Sequence, residues 1–256
     1  MSSPSFVKVT EAPQVAVLTL SRPPLNVLNI DMITQMSAAL EPLSKRTDLC
    51  ALVITAEGDH FSAGVDVGEH RPETVRRMLE SFHHLIRLVH RFPCPVVAGV
   101  QGHTLGGGME LACLCDITVA ASNLRLGVPE ITLGVYPPVA VAHLYRRVGV
   151  AVASELIYTG RLLGAQEALS LGLISRVCEP HQLEGAVREV AGRLTTLSAH
   201  ALRCTREAMR RSALPDFENA LAETESFYLD RLMKGKDPLE GLAAFLEKRS
   251  PHWSHT

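Results

Sequence analysis

The sequence predicts an α/β fold in which strands and helices alternate, followed by a helical C-terminal region. Short apolar segments of the kind that form buried strands, ALVITA and PVVAGV, each lead into a segment with helical periodicity. Beyond about Val177 the periodicity becomes helical throughout. A chain of 256 residues is long enough for one α/β domain with such an extension.

The first predicted unit is a β-hairpin followed by a helix. The segments FVKVT and VAVLTL have the composition of paired strands. The segment DMITQMSAALEPL that follows is amphipathic, and either Asn29 or Asp31 can cap its start. This unit opens the α/β core.

Two further units repeat the order of strand, loop and helix. In the second, ALVITA is the strand, EGDHFSAGVDVGEH the loop, and a helix runs from Pro72 to about His90. In the third, PVVAGV is the strand, QGHTLGGG the loop, GMELACLC the helix, and DITVAA a closing strand. The helical tail comprises LEGAVREVAGRLTTL, SAHALRCTREAMRR, DFENALAETESFYLDRLM and DPLEGLAAFLEKR. We expect a core over residues 1–195 and a helical region over 196–256.

Composition narrows the function classes. A formal net charge of -2 argues against nucleic acid or an anionic membrane as the main partner. The six cysteines include no CxxC pair, and Cys113 and Cys115 point about 200° apart on a helix, so we predict reduced thiols and no metal site. The N-terminus lacks a basic and an apolar signal region, and no apolar run reaches about 18 residues. These features predict a cytoplasmic protein that does not enter a membrane.

The segment HTLGGGMEL, residues 103–111, places three glycines beside a glutamate in apolar surroundings. Such a turn fits a phosphate cradle, an oxyanion hole or tight packing without a ligand. The phosphate loop requires Gly-Lys-Ser/Thr and the dinucleotide motif requires GxGxxG, and neither is present. Because a carboxylate in an apolar turn costs several kcal/mol unless it is paired or functional, Glu110 favours a functional turn.

A second glycine turn, FSAGVDVGE, follows the preceding strand in the same way, so two loops can each direct one backbone N–H at a common point. Here the chain resembles the crotonase (enoyl-CoA hydratase/isomerase) superfamily. The resemblance rests on RPPLNVLN, FSAGVD, PVVAGVQGHTLGGGMELACLCDI, GVPEITLGV, YTGRLLGAQEALSLGLISRV and DPLEGLAAFLEKR, which span nearly the whole chain in the family's order.

The resemblance implies a fold, a substrate and an assembly. The fold is a spiral of repeated ββα units, whose C-terminal helical region forms a homo-trimer, or a hexamer as a dimer of trimers, and covers the active site. The substrate is an acyl-CoA, and no cofactor or metal is needed because coenzyme A is part of the substrate. The oxyanion donors are the backbone N–H groups of Val65 and Gly107. The predicted substrate-binding residues are Ala63, Asp66, Gly106, Tyr136 and Pro137.

The carboxylates indicate the reaction. By the same resemblance, Glu110 and the Glu130 of a "PE" motif are the catalytic pair. Adding water to a conjugated double bond requires a base for the water and a proton source for the α-carbon, so two carboxyl groups suffice. An isomerase that moves an α-proton can function with one, and the pair therefore favours a hydratase. A non-catalytic RNA-binding member is the alternative from another class.

Two departures and several other residues qualify this prediction. Pro137 and Pro138 stand where many hydratases have glycines, and this variant is similar to cyclohexadienoyl-CoA hydratases. In the N-terminal motif, Pro24 and Leu25 stand where the family often has a lysine. We interpret Asp66 also as a turn or capping residue. The remaining polar candidates are interpreted as structural: His60 and His103 as loop residues, and Arg203, Arg206, Arg210 and Arg211 as a solvated stripe, with a CoA phosphate or RNA contact as the alternative.

Overall fold

The computed structural model describes residues 4–213 and 216–256. The prediction that the N-terminus carries no signal sequence includes residues 1–3, which lie outside the described residues. Nine strands occur in the described residues. They are β1 (Val7–Ala12), β2 (Val15–Leu20), β3 (Ala51–Ala56), β4 (Val96–Val100), β5 (His103–Leu105), β6 (Ile117–Ala121), β7 (Arg125–Gly127), β8 (Leu163–Gly164) and β9 (Arg176–Cys178).

The strands form two sheets. The larger has the order β1-β2-β3-β4-β6-β9, in which the predicted hairpin of β1 and β2 is antiparallel and every other neighbour is parallel. The smaller has the order β5-β7-β8, with β5 and β7 parallel and β8 antiparallel to β7. The predicted α/β class is therefore confirmed. Parallel neighbours require crossover connections, and these are supplied by the helices.

The helices of the described residues include all four predicted in the C-terminal region. They are α1 (Ile30–Leu43), α2 (Val75–His90), α3 (Gly107–Leu114), α4 (Pro138–Thr159), α5 (Ala165–Ser170), α6 (Leu183–Thr195), α7 (Ala199–Ala213), α8 (Phe217–Asp230) and α9 (Lys236–Leu246). Asn29 caps α1, since its side chain accepts a hydrogen bond from the Met32 N–H at 3.0 Å. No helix of the described chain is both long and apolar enough to cross a membrane.

The two faces of the larger sheet pack against different helices. On β3, Leu52 and Ile54 belong to the main core, which also contains residues of α1, α2 and α3. Their neighbours Ala51 and Val53 belong to a second cluster, formed with α6. Because successive side chains of a strand point to opposite faces, burial on both faces requires the continuous apolar run ALVITA.

The sequence did not predict several elements around the candidate site. The segment QGHTLGGG, predicted as a loop, contains β5, and the sequence analysis assigned no secondary structure to α4, α5 or β7 to β9. Helix α4 begins at Pro138, where a missing N–H costs nothing. At Gly149 its backbone leaves the helical region, with φ 78° and ψ 161°. The boundary at residue 195 stays a prediction.

The interpretation of the basic run as a solvated stripe is wrong for Arg206. This residue is 7% exposed, and its Nε donates to Asp116 at 2.7 Å. Its remaining nitrogens donate to carbonyl oxygens at the end of α2, among them Val89 and His90. The guanidinium thus caps the C-terminus of α2, where carbonyls lack helical partners and the helix dipole favours a cation. Arg211 is exposed, as predicted, whereas Arg203 and Arg210 are half-buried.

Candidate active site

A cavity of about 610 Å³, including its open mouth, lies where α2, α3 and α8 meet the two glycine turns. The 3-10 helix Pro129–Leu133 and the start of α4 form its opposite side. Both predicted carboxylates, both predicted oxyanion residues, Gly106, Ala63, Tyr136 and Pro137 line it. Residues that are distant in sequence therefore meet at one cavity, as the resemblance implies.

The two predicted oxyanion residues lie on loops that touch each other. A Cβ placed on Gly107 would lie 2.7 Å from a methyl carbon of Val65, and one placed on Gly64 would lie 3.6 Å from the Gly107 nitrogen. The flanking Gly64 carbonyl and Asp66 N–H both bond to Leu28, but the Val65 N–H bonds to no described residue. Gly107 is the first residue of α3, where an N–H has no intrahelical partner. Two unbonded N–H groups thus border one cavity.

Each glycine of the triplet is required by a specific neighbour. Gly106 has φ 50° and ψ -126°, and its Cβ would lie 2.6 Å from Glu130 Oε1. A Cβ on Gly107 would meet Val65, and one on Gly108 would lie 2.8 Å from both Cβ and the carbonyl oxygen of Ser62. The glycines therefore let the backbone approach the second glycine turn and a carboxylate at distances that no side chain allows.

Glu110 is held at the cavity by the start of α4. It lies on α3, is 4% exposed, and its Oε1 accepts a hydrogen bond from the Ala140 N–H at 2.9 Å. Burial raises the pKa of Glu110 to about 7, although the backbone N–H groups of Ala140 and Val139 oppose the shift. A carboxyl with this pKa exchanges a proton readily near neutral pH.

Glu130 has a buried carboxyl group that lacks a partner. Its Oε2 is closed off from solvent and makes no hydrogen bond with the described residues. Burial, and secondarily the charge of Glu110, raises the pKa of Glu130 well above its ordinary value. Because two neighbouring carboxylates resist simultaneous ionisation, the group with fewer hydrogen-bond donors keeps its proton. Glu110 is then the ionised partner and Glu130 the protonated one.

The first glycine turn is supported by Asn26, a residue of the RPPLNVLN motif that the sequence analysis did not assign to a role. Its buried amide donates to the carbonyl oxygens of Glu57 and His60, at 2.9 and 2.8 Å. The backbone carbonyl of Asn26 accepts a hydrogen bond from the Ser62 hydroxyl at 2.8 Å, and that hydroxyl in turn accepts one from the Gly64 N–H. Asn26 therefore holds the turn that carries Val65.

Asp66 differs from the other predicted substrate-binding residues because it does not line the cavity. Its carboxylate accepts from the Gly68 N–H at 2.9 Å and so caps a 3-10 helix at Val67–His70, as the capping interpretation predicts. It also lies 3.8 Å from an Arg22 nitrogen. A substrate contact for Asp66 stays a prediction.

Helices α2 and α8 contribute side chains to the cavity that were not predicted from the sequence. Met78, Leu79 and Phe82 come from α2, and Tyr228 comes from α8. A signal was available for Tyr228, because it follows the buried Phe217 and Leu221 at helical spacing on one face of α8. Nothing in the sequence said which core that face would join.

No group of three or more His, Cys, Asp or Glu side chains that could hold a metal ion occurs in residues 4–213 and 216–256. The predicted residues Cys113 and Cys115 are buried free thiols, and burial raises the pKa of Cys113 to about 11. His103 stacks against His60 at a ring-centroid distance of 4.5 Å, and the His60 Nδ1 accepts from the His103 backbone N–H at 3.0 Å. Neither histidine lines the cavity.

Known proteins resemble the chain over almost its full length. The cyclohexa-1,5-dienecarbonyl-CoA hydratase of Thauera aromatica is 37% identical to it over 99% of this chain and 98% of that protein. The short-chain-enoyl-CoA hydratase of Clostridium acetobutylicum is 34% identical over 92% of each chain.

Solved structures share the fold. An enoyl-CoA hydratase from Mycobacterium avium subsp. paratuberculosis superposes with a TM-score of 0.88 at 28% identity, covering 98% of this chain and 99% of that one. An enoyl-CoA hydratase from Bacillus anthracis superposes with a TM-score of 0.79 at 32% identity, covering 98% and 100%. The model of the enoyl-CoA hydratase/isomerase family matches residues 10–256. Together with the cavity described above, this match shows that the chain belongs to the enoyl-CoA hydratase/isomerase family.

Proposed function

We propose that the protein is a lyase that adds water across the conjugated double bond of an enoyl-CoA thioester. The observation that carries this proposal is the arrangement of two buried carboxyl groups around a cavity that also presents two unbonded backbone N–H groups. These are the groups that hydration needs: donors for an enolate oxygen, a base and an acid.

The N–H groups of Val65 and Gly107 bind the thioester oxygen. When water attacks the β-carbon, the electrons of the double bond move toward the carbonyl and an enolate forms. Its oxygen carries more negative charge than the thioester oxygen, so fixed donors stabilise the transition state more than the ground state. Loss of one such donor typically lowers the rate about 10²- to 10³-fold.

The two glutamates move the protons. The ionised Glu110 accepts a proton from the water as its oxygen bonds to the β-carbon. The protonated Glu130 gives its proton to the α-carbon as the enolate collapses. After product release a proton passes from Glu110 to Glu130, so no net charge accumulates. This assignment follows from their surroundings, because Glu110 has a backbone donor and the Oε2 of Glu130 has none.

The alternatives are less well supported. An enoyl-CoA isomerase needs one carboxylate to carry a proton. A second buried carboxyl at the same cavity would destabilise the fold and have no role in that reaction. An RNA-binding role would rely on the basic run of α7, but Arg206 is buried against Asp116 and the end of α2. A salt-dependent binding titration with RNA separates this role from catalysis.

We propose a compact cyclic dienoyl-CoA as the preferred substrate. The support comes from the relative named for such a substrate and from the wall beside Glu130. Tyr136, Pro137 and Pro138 form this wall, and the Tyr136 hydroxyl is fixed by a 2.6 Å hydrogen bond to the Thr224 carbonyl. A rigid wall favours a short rigid acyl group, because a long flexible chain loses more conformational freedom on binding.

The proposal is tested with crotonyl-CoA, a C8 enoyl-CoA and a cyclic dienoyl-CoA, by following the loss of conjugated absorbance. We expect hydration of at least one of them, and a 10²- to 10⁴-fold lower kcat in both Glu110→Gln and Glu130→Gln. Glu184→Gln is the matched control, since that side chain is 85% exposed. Near-normal turnover in both site variants would contradict the two-carboxylate mechanism. A preference for the C8 substrate would contradict only the cyclic acyl group.

We also propose that residues 196–256 cover the active site and form a homo-trimer or a hexamer. The position of Tyr228 at the cavity supports the cover. Exposed apolar side chains on α4 and α8, among them Val150, Tyr158 and Phe227, support the assembly. Light scattering coupled to size exclusion measures the number of subunits, and a monomer at micromolar concentration would contradict this proposal.

A further inference from the structure

The Tyr228 hydroxyl is a buried polar group with no partner. The residue is 1% exposed, and its hydroxyl makes no hydrogen bond with the described residues. A buried hydroxyl without a partner costs free energy, so it is uncommon unless it has a ligand or a function. Tyr228 lines the same cavity as the two glutamates.

The position of this hydroxyl is well defined. Tyr228 packs edge-to-face against Tyr136, with ring centroids 5.2 Å apart, within a cluster that includes Met78 and Leu79 of α2. Burial raises the pKa of Tyr228 far above its ordinary value, and the nearby charges of Glu130 and Glu110 add to the shift. The phenol therefore keeps its proton at every physiological pH and can only act as a hydrogen-bond donor or a neutral acceptor.

Hydration places a specific demand on the cavity. The water must give one hydrogen to Glu110 and direct one lone pair at the β-carbon, so its second lone pair needs a donor to fix the direction of attack. The wall beside the glutamates offers few donors. Pro137 and Pro138 have no N–H, and the Ala140 N–H is bonded to Glu110.

Other donors of the cavity are already engaged. The Tyr136 hydroxyl donates to the Thr224 carbonyl, and the Gly106 N–H donates to the Gly127 carbonyl. The His70 Nδ1 lies 3.0 Å from the Asp66 carbonyl, so its proton is directed there. Among the side chains that line the cavity in the described chain, the Tyr228 hydroxyl and the protonated Glu130 remain as free donors, and the Glu130 proton is the one delivered to the α-carbon.

We propose that the Tyr228 hydroxyl donates a hydrogen bond to the oxygen of the water that is added, and to the same oxygen when it has become the product hydroxyl. This proposal rests on the hydration proposed above. It makes Tyr228 a residue that orients the nucleophile, and it explains how a site walled by prolines can hold a water in a fixed direction.

The test compares Tyr228→Phe with the unmodified protein in both directions of the reaction. We expect kcat for hydration of crotonyl-CoA to fall about 10- to 100-fold, the range for one hydrogen bond to a group that gains charge, with KM within about twofold. In the reverse direction, KM for 3-hydroxybutyryl-CoA rises several-fold, because only this ligand carries the hydroxyl. Ser170→Ala is the control for loss of a hydroxyl, since Ser170 is exposed at the end of α5 and does not line the cavity, and it leaves all constants unchanged.

Two further measurements separate this role from packing. Because the variant removes an unpartnered buried hydroxyl, its melting temperature stays equal or rises, and its Kd for butyryl-CoA, which lacks the hydroxyl, does not change. Unchanged kcat in Tyr228→Phe would overturn the inference and leave the hydratase assignment intact. A lower kcat accompanied by a lower melting temperature and weaker butyryl-CoA binding would assign Tyr228 to packing and also overturn it. If the unmodified protein hydrates no enoyl-CoA, the proposed function fails first.

Discussion

A single methyl group on Gly106 is expected to disable the active site without unfolding the protein. The backbone there has φ 50° and ψ -126°, a region that L-residues avoid, so Gly106→Ala lowers the free energy of unfolding by about 1–3 kcal/mol. The new Cβ would lie 2.6 Å from Glu130 Oε1. Since a carbon and an oxygen rarely approach within about 3.3 Å, the carboxyl must move by about 0.7 Å.

That displacement sets the expected loss of activity. A misplacement of about 1 Å in a catalytic group costs roughly 10²-fold in rate, so kcat for crotonyl-CoA should fall by roughly 30- to 100-fold in Gly106→Ala. The matched control is Gly192→Ala on α6, where an added Cβ meets no atom within 4 Å. That change leaves kcat unaltered and raises the free energy of unfolding by up to about 1 kcal/mol.

The cause is separated from general strain by a double-mutant cycle. If Gly106→Ala acts by moving Glu130, it should have little further effect on kcat in the Glu130→Gln background, because the displaced group no longer carries the proton. The assays are the loss of conjugated absorbance and urea denaturation followed by circular dichroism. A folded Gly106→Ala protein with kcat within twofold of normal, or strictly additive losses in the cycle, would refute this reasoning.

Three other predictions follow from the charges. Because Glu110 must be ionised and Glu130 protonated, kcat should fall as pH drops below the Glu110 pKa of about 7, and it should also fall as pH rises to the point where Glu130 ionises. A kcat that stays constant between pH 5 and 9 would contradict this. Burial holds the pKa of Glu110 at about 7, above its ordinary value of 4.5, so the contribution of this group to stability is fully present below pH 4.5 and is lost as pH rises through about 7. Urea denaturation of Glu110→Gln should show a smaller loss of stability over this range. Arg206→Met should lower the free energy of unfolding by about 3 kcal/mol, because the carbonyls at the end of α2 lose their donor and Asp116 keeps only the Val96 N–H among its described partners. The exposed Arg211→Met should change it by under about 0.5 kcal/mol, and equal effects in urea denaturation would rule out the capping role of Arg206.

Local patterns predicted most of the fold. The hairpin of β1 and β2, the Asn29 cap and the apolar runs of β3 and β4 each depend on a short stretch of sequence whose periodicity or capping chemistry is unambiguous. Helix α4 was not predicted, although its first residue, Pro138, occupies the position where proline is favoured in helices. The short strands β7 and β8 carry too few residues for a period to be read.

The site was predicted in part, for a different reason. Glu110 and the glycines could be identified from the sequence, because a charge in an apolar turn and consecutive glycines are both unusual over a short stretch of chain. The burial of Arg206 could not be predicted in this way, because the residues around a buried arginine in the sequence of a helix do not differ from those around an exposed one. Asn26 and Tyr228 likewise acquire their surroundings only when distant segments meet, and the identity of those segments is a property of the fold.

Several polar groups at the cavity have no hydrogen-bond partner among the described residues. Two N–H groups, the Oε2 of Glu130 and the Tyr228 hydroxyl lack partners among the described residues at this one cavity. Each of these groups lowers the free energy of unfolding when it has no partner, so stability does not explain why they lie together at one cavity. A thioester oxygen satisfies the N–H groups, and a water satisfies the hydroxyl and the carboxyls. The donors and acceptors that lack protein partners at this cavity therefore match the proposed reactants, a thioester and a water.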